Sequence, residues 1–190
     1  MFQKAYAQGK IVNLGCGDIP VDFGPDAVQV DIDNYDYPNF VRADLHSLPF
    51  KDNEFDTAVL GDVLEHSPDP LKMLSEAARV GKFLVATIFE EKKDAFPEKD
   101  CIQRRGHNTV KEWYETIPAY EHCTEIVEDH EIPHHFHVQN FTDRDIFNLY
   151  LDAGLEILIY YKVQEGEEKG IPYYNWMILS RKKGEKCQTG

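Results

Sequence analysis

Residues 10–18 read KIVNLGCGD, a short β-rich run that breaks into two glycines one residue apart. The run Lys10 to Leu14 predicts a strand. Gly15 and Gly17 allow the chain to turn tightly and let the backbone approach a ligand closely. An ordinary strand-ending turn would read the same way, because short glycine motifs are weak signals. A dinucleotide fingerprint would place glycine at position 20, where this chain has Pro20. A phosphate-binding P-loop is excluded, since no Gly-Lys-Ser/Thr follows.

Working outward from this turn, further short apolar runs predict strands at Val28 to Ile32, Phe40 to Arg42, Thr57 to Leu60 and Phe83 to Ile88. They are apolar on both faces, as strands covered by helices on both sides should be. Pro70 suits a first helical turn. Leu71, Leu74 and Ala78 then share a face at helical spacing, and Gly81 is the stop. Strand, helix, strand in that order argues for a parallel crossover. Thr142 with Asp145 makes a helix start. Ile146, Leu149, Tyr150 and Ala153 form its apolar stripe, and Gly154 ends it. Leu155 to Val163 and Tyr174 to Ser180 are two more strands, with Gly166 to Gly170 as a solvent turn between them. No helix fits there, so these two are expected to be antiparallel neighbours. Trp176 and the other aromatics of the last strand are expected in the core.

Composition bounds the function classes. The chain has 190 residues, of which 42% are hydrophobic and 28% charged. That is a one-domain length with globular averages. Acids number 34 against 20 Lys and Arg, for a formal net charge of −14. Such a surface repels polyphosphate, so nucleic acid is not expected as a partner. No apolar run reaches the roughly 20 residues of a membrane helix. The N-terminus lacks the apolar core of a signal peptide. The four cysteines include no C-x-x-C pair. A cytoplasmic protein is the expectation, with no membrane partner.

Two acids answer the glycine turn. Asp31, at the end of the second strand, can accept two hydrogen bonds from a ribose diol, with Asp33 as its rival. Asp44 follows the third strand. It could accept from an adenine amino group while the Leu45 N–H meets the neighbouring ring nitrogen; alone it would be a turn aspartate.

The ordered set IVNLGCGD (11–18), VQVDID (28–33), ADLHSLPFKDNEFDTAVLGDVLEHSPDP (43–70) and SEAARVGKFLVAT (75–87) resembles the class I S-adenosylmethionine-dependent methyltransferases, specifically the type 11-like, small-molecule branch. The stretch from Leu48 to His66 is the most specific part. The resemblance implies an α/β, Rossmann-like three-layer sandwich. Its seven-stranded, mostly parallel sheet would run 3-2-1-4-5-7-6, with the last strand antiparallel. It implies S-adenosyl-L-methionine as cofactor. Gly15, Cys16 and Gly17 would lie against its methionine part, Asp31 and Ile32 at the ribose, Asp44 and Leu45 at adenine, and Gly61 and Asp62 at the sulfonium. The chain departs from the family pattern at Ile19, where a third glycine is common. Only 13 residues separate Gly17 from Asp31, and they include Pro20, Gly24 and Pro25. The usual first helix cannot fit there. The fifth strand is entered through Val80-Gly81-Lys82 instead of a Pro-Gly-Gly turn.

The chain is expected to be one methyltransferase domain over residues 1–183, with a lid insertion over 89–141 and a disordered tail over 184–190. The insertion holds His107, His122, His130, His134, His135 and His137 among aromatics. His135 and His137 would share a face if extended, but the spacing matches no standard zinc site and no metal is assigned. Histidine suits removal of a proton from an acceptor. His66, in the LEH motif, and His137 are the catalytic candidates, His66 having a loop-anchoring role as its alternative. The expected function is methyl transfer to O or N of a small-molecule acceptor. The alternative is an S-adenosylmethionine-binding or regulatory protein without transferase activity.

Overall fold

A computed structural model describes residues 2–18, 20–90, 141–168 and 171–184. Its sheet has seven strands in the order β3-β2-β1-β4-β5-β7-β6. They are β1 (Ile11–Leu14), β2 (Val28–Asp31), β3 (Phe40–Arg42), β4 (Phe55–Gly61), β5 (Gly81–Glu90), β6 (Leu155–Glu168) and β7 (Ile171–Lys182). All neighbours from β3 through β5 pair parallel, and β7 runs antiparallel to both β5 and β6. The predicted Rossmann-like architecture is therefore the observed one. Helices α1 (Phe2–Tyr6), α2 (Pro70–Val80) and α3 (Asp143–Asp152) flank the sheet, with a 3₁₀ turn at Leu64–His66.

β1 is buried at all four positions because both sheet faces are covered. One face carries the main core, in which Leu14, Val30, Leu60, Leu84 and Ile178 pack with Leu74 of α2 and Ile146 and Tyr150 of α3. The other face carries a smaller cluster of Ile11, Ala27, Val59 and Val85, against which Phe2 packs. The sheet also buries a polar pair, with Asn13 Nδ2 donating to Gln29 Oε1 at 2.8 Å. That contact pairs an Asn13 amide donor with the Gln29 acceptor, where unpaired buried groups would be costly.

Several local expectations need correction. α1 lies in a segment whose pattern predicts no element. In α2, Leu71 is 38% exposed, and the buried face is Met73, Leu74, Ala77, Ala78 and Val80. Leu71 is in the first turn, where the helix has not yet reached the sheet. The hairpin ladder continues through Gly166 and Glu167 to Glu168 opposite Ile171, so the solvent turn is shorter than expected. Two register shifts in β6 accommodate the extra length. α3 follows its pattern closely: Thr142 and Asp145 form a reciprocal capping box, and Gly154 takes φ 74° just past the helix end. No helix occurs over residues 20–27, as the crowding of Pro20, Gly24 and Pro25 requires.

Gly81 ends α2 and begins β5 without a loop. A Cβ there would lie 2.8 Å from Ala58 Cβ and 3.0 Å from the Ala58 backbone N. Here glycine serves close strand approach and not a left-handed φ. Gly81→Ala is expected to lower stability by about 2 kcal/mol through overpacking. A urea midpoint unchanged from wild type would contradict this.

Candidate functional site

The carboxyl ends of β1, β2, β4 and β5 converge with the start of β7, as parallel strands with an antiparallel neighbour require. At the first turn, the Gly15 and Cys16 amides both donate to Val30 O, at 2.8 and 3.0 Å. Gly15 has φ 74°, and a Cβ on it would sit 2.6 Å from Val63 Cγ2. Gly17 has φ 62°, and nothing lies within 4 Å of where its Cβ would be. One glycine is thus forced by packing, while the other leaves open space beside the backbone.

Asp31 closes this turn. Its Oδ2 accepts from Gly17 N–H at 2.9 Å, and its Oδ1 accepts from Asp33 N–H at 3.1 Å. Burial raises the Asp31 carboxyl, while these two amides hold it down. Asp33, the rival acid, supplies a backbone donor to Asp31. A carboxylate has about four acceptor sites, so Asp31 retains capacity for a diol. Cys16 is buried, and its thiol is pushed up to about 12 by burial and by the Asp31 charge. It is a packing group here, since reactive cysteines need a depressed value.

Two residues at this end carry no family signal. Tyr35 and Tyr37 stack with centroids 5.6 Å apart, Tyr35 meets Phe40 edge-on at 6.0 Å, and Tyr37 Oη donates to Asp18 O. With Phe40 they form one aromatic cluster in the segment after β2. Their i, i+2 spacing in an extended segment was the available signal.

Asp44 belongs to a local chain. Its Oδ1 accepts from His46 N–H at 2.9 Å and lies 2.7 Å from His46 Nδ1. His46 Nε2 is 2.7 Å from Ser67 Oγ. Leu45 is buried next to the glycine turn, its Cδ1 3.6 Å from a Gly15 Cβ.

At the end of β4, Asp62 takes φ 51°, an uncommon conformation for a residue with a side chain. Its N–H donates to Thr87 O at 3.1 Å, and its Oδ1 accepts from Asn175 Nδ2 at 3.0 Å. Asp62 is exposed to solvent at the end of β4. Desolvation raises its carboxyl. Gly61 faces Gln3 of α1: a Cβ there would be 3.4 Å from Gln3 Nε2, which itself donates to Thr87 Oγ1 at 3.2 Å. Gln3, Thr87 and Asn175 therefore join this region, 113 residues separating Asn175 from Asp62. Such distant partners have no local sequence signal.

Glu65 lies behind Asp62, fully buried. Its Oε1 accepts from Phe89 N–H at 2.8 Å, and its Oε2 has no partner. Burial first, then the Asp62 charge, raise its carboxyl well above the usual range. A neutral acid tolerates this setting where an anion would not. The sign follows: a raised value in the folded state gives stability that is present at low pH and lost as pH rises through that value. Glu65→Gln keeps the acceptor for Phe89 and cannot ionise. Its melting temperature is expected to gain on wild type progressively as pH rises from 5 to 9. Parallel curves would contradict the assignment.

His66 sits on the 3₁₀ turn, its N–H donating to Val63 O at 3.1 Å. His137 and the other histidines of the expected lid insertion fall at 91–140, outside the described residues. Among the described residues no three His, Cys, Asp or Glu side chains form a metal-binding group, and no helix is long and apolar enough to cross a membrane.

Residues 11–83 match a family model described as a methyltransferase domain, of type 11. Compared by sequence with curated proteins, the chain finds no match. Among solved structures it resembles an S-adenosylmethionine-dependent methyltransferase of Methanosarcina mazei. The TM-score is 0.60 and the identity 19%, over 94% of this chain and 95% of that one. It also resembles the 1,6-didemethyltoxoflavin-N1-methyltransferase of Burkholderia thailandensis, with TM-score 0.53 and 14% identity over 90% and 70%. A third is the [4+2]-cyclase SpnF, with TM-score 0.58 and 14% identity over 95% and 77%. At these identities the likeness shows the fold. The family match covers the stretch from β1 to the start of β5, and the solved structures share the fold over most of the chain.

Proposed function

We propose that the protein transfers a methyl group from S-adenosylmethionine to O or N of a small-molecule acceptor. The observation that carries this reading is the Gly17–Asp31 cradle: open space beside Gly17, bounded by a half-buried carboxylate that has acceptor capacity left. The residues fit the cofactor. Asp31 would accept from the ribose hydroxyls, with Ile32 beside it. The Gly15–Gly17 turn would lie along the methionine part, and Asp44 with the Leu45 N–H would meet adenine. Gly61 and Asp62 would border the sulfonium, where negative charge is favourable.

When bound, the cofactor supplies an activated methyl group, so the chain mainly aligns the acceptor and excludes water. Asp62 is suited to orient an acceptor, because Asn175 and the Thr87 carbonyl fix its position. His66 is the described candidate for taking the acceptor's proton, and His137 is the candidate on the proposed lid over 89–141. The surrounding acids Asp31 and Asp62, and the formal charge of −14, favour a neutral or cationic acceptor over an anionic one. The small-molecule N1-methyltransferase among the structural relatives supports the same acceptor class.

The test is incubation with labelled S-adenosylmethionine and a panel of small amines, phenols and carboxylic acids. A product heavier by one methyl, formed from an amine or a phenol, is the expected result. Cofactor binding with no methylated product from any acceptor would favour the non-catalytic reading. Conversion of an acceptor without mass gain would favour other chemistry on this fold.

A further inference from the structure

His46 is held at both ring nitrogens. Nδ1 lies 2.7 Å from Asp44 Oδ1 and Nε2 lies 2.7 Å from Ser67 Oγ. Ser67 Oγ in turn accepts from Asp69 N–H at 3.1 Å, and Asp69 caps α2 by accepting from Lys72 N–H at 3.0 Å. One neutral tautomer satisfies the chain: Nδ1–H donates to the carboxylate, and Nε2 accepts from the Ser67 hydroxyl. The order Asp, His, Ser has the form of a nucleophile relay. Ser67, however, is 1% exposed and already accepts a backbone hydrogen bond. The end of the relay that a ligand can reach is Asp44, whose side chain is 28% exposed.

We propose that His46 is a positioning residue that orients the Asp44 carboxylate to read the adenine amino group, so that the chain selects adenine over hypoxanthine. This rests on the cofactor reading above. The Asp44 carboxylate follows a three-residue strand and has a flexible χ2 of its own. Anchoring Oδ1 through both the His46 amide and its ring fixes the plane of the group. Ser67 anchors the ring in turn to the start of α2, a rigid element. Adenine presents an N–H donor where hypoxanthine presents a carbonyl oxygen, and a carboxylate fixed in plane accepts from the first and repels the second.

The experiment measures Kd by calorimetry for S-adenosylhomocysteine and for its inosine counterpart, in wild type and variants. Asn carries its amide where the His ring has Nδ1, so His46→Asn keeps the Asp44 contact and drops Ser67. Gln carries its amide where the ring has Nε2, so His46→Gln does the reverse. The ratio of the two Kd values is expected to fall about tenfold in His46→Gln and in His46→Ala, in line with loss of one charge-assisted hydrogen bond. It is expected to stay within about threefold of wild type in His46→Asn. The proposal is overturned if the ratio in His46→Gln equals that of wild type while Asp44→Asn lowers it. If Asp44→Asn also leaves the ratio unchanged, the adenine reading of Asp44 fails and the proposal fails with it. Melting curves of the His46 pair separate a folding defect from a binding one, since the two variants are of similar size and polarity.

Discussion

Asp31→Asn is expected to weaken S-adenosylhomocysteine binding by about a hundredfold or more while the protein stays folded. The carboxylate accepts the Gly17 and Asp33 amides, one on each oxygen. Two ribose hydroxyls donating to the same charged group would contribute about 1.5–3 kcal/mol each, and a hundredfold corresponds to about 2.7 kcal/mol. Asn has the same shape but only one acceptor oxygen. Its NH₂ would face either the Gly17 N–H or the Asp33 N–H, so the substitution removes the ligand's acceptor and also loosens the turn. The second effect costs about 1 kcal/mol in stability, a melting shift of a few degrees in a chain of this size. Equilibrium dialysis with labelled cofactor measures the first, and a thermal melt the second. Binding within threefold of wild type would remove Asp31 from the site.

The largest effect on stability is expected at Arg79, in the last turn of α2. Its guanidinium forks onto Glu76 with two bonds of 2.9 Å. It also donates to Phe50 O at 2.7 Å and Leu48 O at 2.9 Å, and reaches Asp52 at 3.0 Å. Glu76 Oε2 accepts from Leu48 N–H at 2.8 Å. This pair therefore clamps the Leu48-Pro49-Phe50 loop onto α2 and supplies its backbone with partners. Phe50 packs edge-on to the buried Phe55 at 5.0 Å, so releasing the loop also loosens core contacts. Arg79→Ala should cost about 3 kcal/mol, since it strands two carbonyls and a half-buried carboxylate. The corresponding drop is about 6–12 °C. Arg79→Lys should recover only part, because an ammonium cannot form the fork.

The pH dependence of the same pair has the opposite sign to that of Glu65. The Arg79 hydrogen bond holds the Glu76 carboxyl below its usual range. Its stabilisation is therefore present above the unfolded value and lost as pH falls through the folded one. The gap between wild type and Arg79→Ala should be full at pH 7 and narrow below about pH 4. A gap independent of pH would assign the effect to packing alone.

The parts of the fold that were legible in the sequence are those fixed by local pattern. β1, β2 and β5 are short β-rich runs, and Thr142 with Asp145 spells a capping box, so each element reads from its own residues. The antiparallel edge followed from the absence of room for a helix between β6 and β7. α1 was not legible because five residues give less than two helical turns of periodicity. Its place depends on Gln3 reaching Thr87, a contact made only after folding. Leu71 shows the limit of a stripe argument: the spacing was helical, but position in the first turn decided its exposure.

The candidate site divides along the same line. Gly15, Gly17, Asp31, Asp44, Gly61 and Asp62 stand at strand ends, where topology makes chemistry expected. His46 lies within the 43–70 stretch yet gives no sign of its role, which depends on Ser67, 21 residues away. Asn175 meets Asp62 only because β7 inserts antiparallel beside β5, placing Asn175 opposite Phe89. The orphaned oxygen of Glu65 is likewise a property of packing, not of pattern.

Calorimetric titration of the wild-type chain with S-adenosylhomocysteine tests the central claim most directly. Saturable binding at one site per chain, with a melting temperature that rises with ligand concentration, is the predicted result. No heat of binding and no shift in melting temperature at millimolar ligand would contradict the account.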